Sequence, residues 1–115
     1  MVEQNDFYHQ IGQILVDEME KENIKWSKIV FEYEVSENYC SYGGLYTNDK
    51  NEKSRLEDLD IPYIIGDVII EFYKYTKNNN FTPYNRAVFT LESSGDFNMD
   101  FKWDQELQDK WDGKK

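Results

Sequence analysis

Thirteen residues, Leu91-Glu92-Ser93-Ser94-Gly95-Asp96-Phe97-Asn98-Met99-Asp100-Phe101-Lys102-Trp103, constrain this chain more than any other stretch. Apolar residues alternate on both sides of a Ser-Ser-Gly-Asp centre. Ala87, Phe89 and Leu91 precede it, and Phe97, Met99, Phe101 and Trp103 follow. Alternation with period two is the signature of a strand with one buried face, and Gly95 supplies the positive φ that a tight turn needs. The segment therefore predicts a β-hairpin. Its apolar side builds a core, with Trp103 placed beside Phe101 by parity. Its other side carries Thr90, Glu92, Asn98, Asp100 and Lys102 as a polar, net acidic platform.

Similar patterning sets the elements before the hairpin. Phe7, Ile11, Ile14, Leu15 and Met19 recur at helical spacing, so a helix capped by Asn5 or Asp6 is expected to run to about Glu22 and to close at Asn23. Trp26 to Ser36 reads as a strand with Ile29, Phe31, Tyr33 and Val35 on one side and Val30, Glu32, Glu34 and Ser36 on the other. Tyr39 to Thr47 reads as a second strand, in which Gly43-Gly44 marks a bulge or a close backbone approach. Residues 48–60 are polar. A loop at Asn48-Asp49-Lys50-Asn51 and an acidic cluster of Glu57, Asp58 and Asp60 are expected there, with at most a short third strand. Asp60 caps a second helix in this reading, with Pro62 in its first turn and a stripe of Ile61, Ile65, Val68, Ile69, Phe72 and Thr76. Asp104 caps a short last helix containing Leu107 and Trp111, and Gly113-Lys114-Lys115 frays.

The order is α-β-β-(β)-α-β-β plus a short C-terminal helix. Strands joined by short turns pair antiparallel, so the fold class is α+β: a two-layer antiparallel sheet with helices on one face. At 115 residues the chain forms one domain, 1–115, with a single modest core.

Charge narrows the partners. With 13 basic and 23 acidic groups the formal charge is −10, so a direct nucleic-acid role is not expected, because phosphate binding needs clustered Lys and Arg. An acidic field steers basic proteins into encounter, and it also serves plain solubility. No apolar run is long enough for a membrane span. Met1-Val2-Glu3-Gln4-Asn5-Asp6 has no leader character, and the single Cys40 forms no internal disulfide. These traits predict a cytoplasmic protein.

Chemistry-bearing motifs are sparse. His9 and Cys40 are the one nucleophile–base pair available, and nothing in the spacing brings them together. One Cys and one His cannot make a zinc set. Gly43-Gly44 is followed by Leu45 and lacks the Lys-Ser or Lys-Thr of a phosphate loop. Asn48-Asp49-Lys50-Asn51-Glu52 offers oxygen ligands but not the spacing of a calcium loop. A catalytic carboxylate needs burial or a close like-charged neighbour, whereas Glu32, Glu34, Glu92 and Asp100 are predicted on an open face. No cofactor, no metal and no enzymatic activity are expected.

The segment Thr90 to Glu106, TLESSGDFNMDFKWDQE, resembles the C-terminal signature of YezG-like immunity proteins: Leu-Glu-Ser-Ser-Gly, an aromatic-Asn-apolar-Asp-aromatic strand and an acidic-aromatic end. An N-terminal amphipathic helix, Trp26 opening an aromatic and acidic strand, and Ile61-Pro62 entering a long helix agree in order. Gly43-Gly44 and Thr82-Pro83-Tyr84-Asn85 depart from the family pattern. The resemblance implies an antitoxin that binds and blocks the toxic domain of a secreted or contact-delivered toxin, often a nuclease. Nucleases present basic clefts, which an acidic and aromatic surface can fill. The residues expected to carry binding are Glu32, Glu34, Glu92 and Asp100 on the open sheet face, Glu57, Asp58 and Asp60 in the loop, and Tyr39, Tyr42, Tyr46 and Trp103 as anchors. The alternative is a small acidic adaptor module, homodimeric through an open sheet edge.

Overall fold

A computed structural model describes residues 3–113. The expected fraying of Lys114 and Lys115, and the reading of Met1 and Val2, lie outside those residues. Helix α1 spans Gln4–Lys21, strands β1 and β2 span Trp26–Ser36 and Tyr39–Asn48, and β3 is the three-residue strand Lys53–Arg55. A single 3₁₀ turn, Leu56–Asp58, leads to helix α2, Ile64–Asn78. The hairpin follows as β4, Arg86–Glu92, and β5, Phe97–Lys102, and the described chain closes with helix α3, Gln105–Trp111.

All five strands form one antiparallel sheet in the order β3-β2-β1-β4-β5. The first three strands form a meander. Helix α2 then carries the chain back across the sheet, so that β4 adds on the far side of β1. This makes the α+β architecture read from the sequence, and β1 becomes the centre of the sheet. Its four alternate apolar residues, Ile29, Phe31, Tyr33 and Val35, are all buried. Opposite them lie Leu91, Phe89 and Ala87 on β4, and Tyr46, Gly44, Tyr42 and Cys40 on β2. Helices α1 and α2 cover this face with Phe7, Ile11, Leu15 and Met19 from one and Ile65, Val68, Ile69 and Phe72 from the other. Each side chain of this size adds about 1.5–3 kcal/mol by leaving water.

Several local expectations change. Helix α1 begins two or three residues earlier than its expected caps. Glu3 is the N-cap, and Asp6 instead accepts a hydrogen bond from the Glu3 N–H at 2.8 Å. Asn23 does close the helix, at φ 56. Asp60 does not cap α2; Tyr63 occupies that position with no side-chain bond. The Asp60 N–H instead donates to Glu18, a buried carboxylate of α1 that also pairs with Lys21 at 2.9 Å. A third strand does form, reached through an Asn48 turn. The Asn48 Oδ1 accepts from the N–H groups of Lys50 and Glu52, and Asn51 takes φ 66.

Asn85, just before β4, holds the C-terminal part of the chain. It is buried, and its side chain makes both hydrogen bonds to the Asp104 backbone at 2.8 Å, donating to the carbonyl and accepting from the N–H. Its own backbone joins Val35 and Lys102. Asn85→Ala leaves two backbone groups of Asp104 without their partner, and such a loss costs about 1–3 kcal/mol per buried group. Urea unfolding followed by circular dichroism should show a fall of that order, against almost none for exposed Asn98→Ala.

Candidate functional site

Opposite the helices, the sheet leaves a face that α1 and α2 do not cover. Strand pairing assigns its residues in rows. Gly43, Glu32, Val88 and Asp100 stand side by side in one row, and Ser41, Glu34, Arg86 and Lys102 in the next. A trough of about 860 Å³ lies over these rows, bordered also by Glu57 and Asp104. Five carboxylates and two cations line it.

Glu57 enters this face from the 3₁₀ turn. Its carboxylate lies over Gly43, where an added Cβ would come within 2.8 Å of the carboxyl carbon. It accepts a hydrogen bond from the Gly44 N–H at 3.0 Å, and this bond holds its carboxyl below the usual range, with Arg55 contributing less. Glu57, Glu32 and Asp100 therefore stand in one row across the sheet. Glu32 and Asp100 are exposed, and Asp100 accepts from Asn98 at 3.0 Å.

Arg86 divides the trough. Its Nε donates to Asp104 at 2.7 Å, and its terminal nitrogen lies 3.5 Å from Glu34. Glu34 is consequently half-buried and neutralised by a neighbour, unlike Glu32. Asp104 also caps α3 by accepting from the Leu107 N–H at 3.0 Å. That bond first, and Arg86 second, lower its carboxyl below the ordinary value. The platform is thus mixed in sign at its α3 end and more strongly acidic along the Glu57–Glu32–Asp100 row.

The other expected site residues lie elsewhere. Glu92 is exposed and on the open side, paired across the sheet with Lys28. Asp58 and Asp60 are exposed, but Asp60 sits beside Lys21 of α1, with 3.9 Å between their charged atoms, at the margin of the helix layer. Tyr42 and Tyr46 occupy the helix side of β2, partly buried against the core, with the Tyr42 ring 5.7 Å from that of Phe31. Tyr39 is on the open side, and its ring meets Trp111 of α3 edge-on at 5.8 Å. Trp103 is not in the core. The strand ends at Lys102, so Trp103 stands 44% exposed with its indole N–H on Gln105. Sequence parity failed there because it holds only while the strand continues. Arg86 and Asp104 were missed as members of the site, since only the β1–β4 pairing sets Arg86 beside Glu34.

His9 and Cys40, which the spacing gave no reason to bring together, both lie outside the trough. His9 is exposed on α1, and the Cys40 thiol, half-buried on the helix side of β2, points at the Gly66 carbonyl at 3.7 Å. Among the described residues no group of three or more His, Cys, Asp or Glu could hold a metal ion, and no helix is long and apolar enough to cross a membrane. No protein-family model matches the chain, and no curated protein matches it significantly.

Proposed function

We propose that this chain is an immunity protein of the cytoplasm: it binds the basic toxic domain of a nuclease-type toxin through its open sheet face and blocks it without chemistry of its own. The observation that carries this reading is the uncovered row of Glu57, Glu32 and Asp100 in a trough on a chain of charge −10. Carboxylates one and two strand spacings apart can take the place of phosphates in a cationic cleft. Opposite potentials speed encounter and reject wrong partners, while aromatic anchors buried in the complex supply much of the affinity. Tyr39 and Trp103 are exposed aromatic groups that could supply such contacts, although neither borders the trough. The Thr90–Glu106 resemblance to YezG-like immunity proteins supports the same reading.

The test is a search of the neighbouring reading frames for a basic toxin domain, followed by co-expression with it. Cells making both should grow, and the purified pair should bind at nanomolar Kd or tighter, about −12 kcal/mol. Toxicity undiminished by this chain, with no complex on mixing, would overturn the proposal. An adaptor for an endogenous partner predicts that second outcome.

A further inference from the structure

The outer edge of the sheet at β5 is open, apolar and complementary to itself. The Glu92 N–H donates to the Asp96 carbonyl at 2.8 Å, and the Asn85 N–H to the Lys102 carbonyl at 3.1 Å. Backbone groups alternate sides along an antiparallel strand, so Asn98, Asp100 and Lys102 point toward β4. Phe97, Met99 and Phe101 then direct their N–H and C=O groups outward. Among the described residues nothing pairs with those groups. The opposite edge is blunted instead by its shortness, because β3 has only three residues, pairs with Leu45–Thr47, and leaves Glu57 to take the Gly44 N–H.

Proteins commonly blunt such edges with a bulge, a proline or a charge. Strand β5 pairs with β4 without a register shift and contains no proline, and its two charges, Asp100 and Lys102, both lie on the open side and leave the Phe97–Met99–Phe101 side uncharged. Its Phe97 and Phe101 are 42% and 37% exposed at the margin of the helix-side core. Placed antiparallel to a second copy of itself about Met99, the strand sets Phe97 opposite Phe101 of the other copy, and Met99 opposite its own equivalent. On the open side Asn98 then faces Asp100, an acceptor for the Asn98 amide. Of the two registers two residues away, one sets Asp100 against Asp100 and the other Asp96 against Asp100, like-charge pairs that oppose assembly.

We propose that two copies of this chain associate through β5, in the register that pairs Met99 with itself, to make one continuous ten-stranded sheet. The open faces of both copies stay uncovered, and of the acids in the trough Asp100 alone also belongs to the seam. A six-residue edge is small beside a standard interface of about 1,600 Å², and each copy carries −10, so the dimer is weak and salt-strengthened. Binding of a basic toxin responds to salt in the opposite sense, which separates failure of one proposal from failure of the other.

Sedimentation of the whole chain over a concentration series, at low and high salt, provides the test. The dimer fraction should rise with concentration and with salt. Met99→Pro removes the two central hydrogen bonds at an outward amide, where an edge strand tolerates proline, and should weaken association about tenfold or more. Met99→Cys in a Cys40→Ser background should form a disulfide-linked dimer on mild oxidation. A directly opposed hydrogen-bonded pair holds its Cα atoms about 5.5 Å apart, within disulfide reach. Asn98→Cys in the same background should link far more slowly. A monomer at every concentration and salt overturns the proposal. So does a dimer that Met99→Pro leaves intact and Met99→Cys does not trap. If Met99→Pro fails to fold, the cysteine pair decides alone.

Discussion

Glu32→Lys combined with Asp100→Lys is expected to slow association with a basic toxin domain by about ten- to a hundredfold at low ionic strength. Both side chains are exposed and stand in one row of the trough, and neither makes an ion pair with Arg86. Their reversal moves four units of charge at the face that a cationic cleft would approach. It removes no buried contact, so stability should change by no more than about 0.5 kcal/mol per site. Raising salt should bring the wild-type and variant rates together, because exposed charges are screened beyond about 10 Å at 0.1 M. Asp58→Lys is the control, since Asp58 does not border the trough. Glu57 is unsuitable for this purpose because its carboxylate holds the Gly44 N–H. Stopped-flow mixing measures the rates. A double variant that associates as fast as wild type at low salt would show that the open face is not where the toxin docks.

Gly44→Ala should cost about 3 kcal/mol or more, a large share of the 5–15 kcal/mol that holds a domain of this kind together. Gly44 lies within the β1–β2 ladder at φ 139, a conformation that a side chain rarely adopts. A Cβ there would overlap the Val30 carbonyl oxygen of the paired strand and stand 3.2 Å from the buried Leu56 side chain. Backbone on one side and packed core on the other leave nothing that can yield cheaply. Gly95→Ala is the comparison. It too has positive φ, at 100°, but an added Cβ meets nothing within 4 Å, so only the local strain of about 1–2 kcal/mol applies. Urea unfolding of both variants ranks them. Equal midpoints would mean that the β2 backbone can move away from β1 at this point.

The two glycines also show how far local reasoning reaches. Gly95 was legible as a turn residue because four consecutive residues contain the signal, and the hairpin forms there with the Gly95 N–H on the Glu92 carbonyl. Gly43-Gly44 was legible as a bulge or a close approach, and the structure selects the second. The β1–β2 register runs unbroken through both residues, and its one shift lies between Trp26 and Lys28. Asp60 misled for a related reason. Asp two residues before Pro reads as a helix start, but the helix begins only at Ile64, after Tyr63, and the Asp60 N–H reaches across to Glu18 of α1. The placement of Tyr42 and Tyr46 was present in their spacing, since they share parity with Cys40 and Gly44. Their opposition to Phe31 and Ile29 needed the register of two strands.

Alternation along each strand and the helical stripes settled, from the residues alone, that this chain makes a one-sided sheet under two amphipathic helices. Period two and period 3.6 are properties of neighbouring residues, and burial of one face follows from them directly. Which charges meet was decided by tertiary structure. The return of the chain through α2 sets β4 beside β1, which gives Arg86 to Glu34 and aligns Asp100 with Glu32, while the missing side chain of Gly43 admits Glu57 from a distant turn. Coulomb energy depends on separation in space, and no local pattern encodes the separation of residues that only non-local strand pairing brings together.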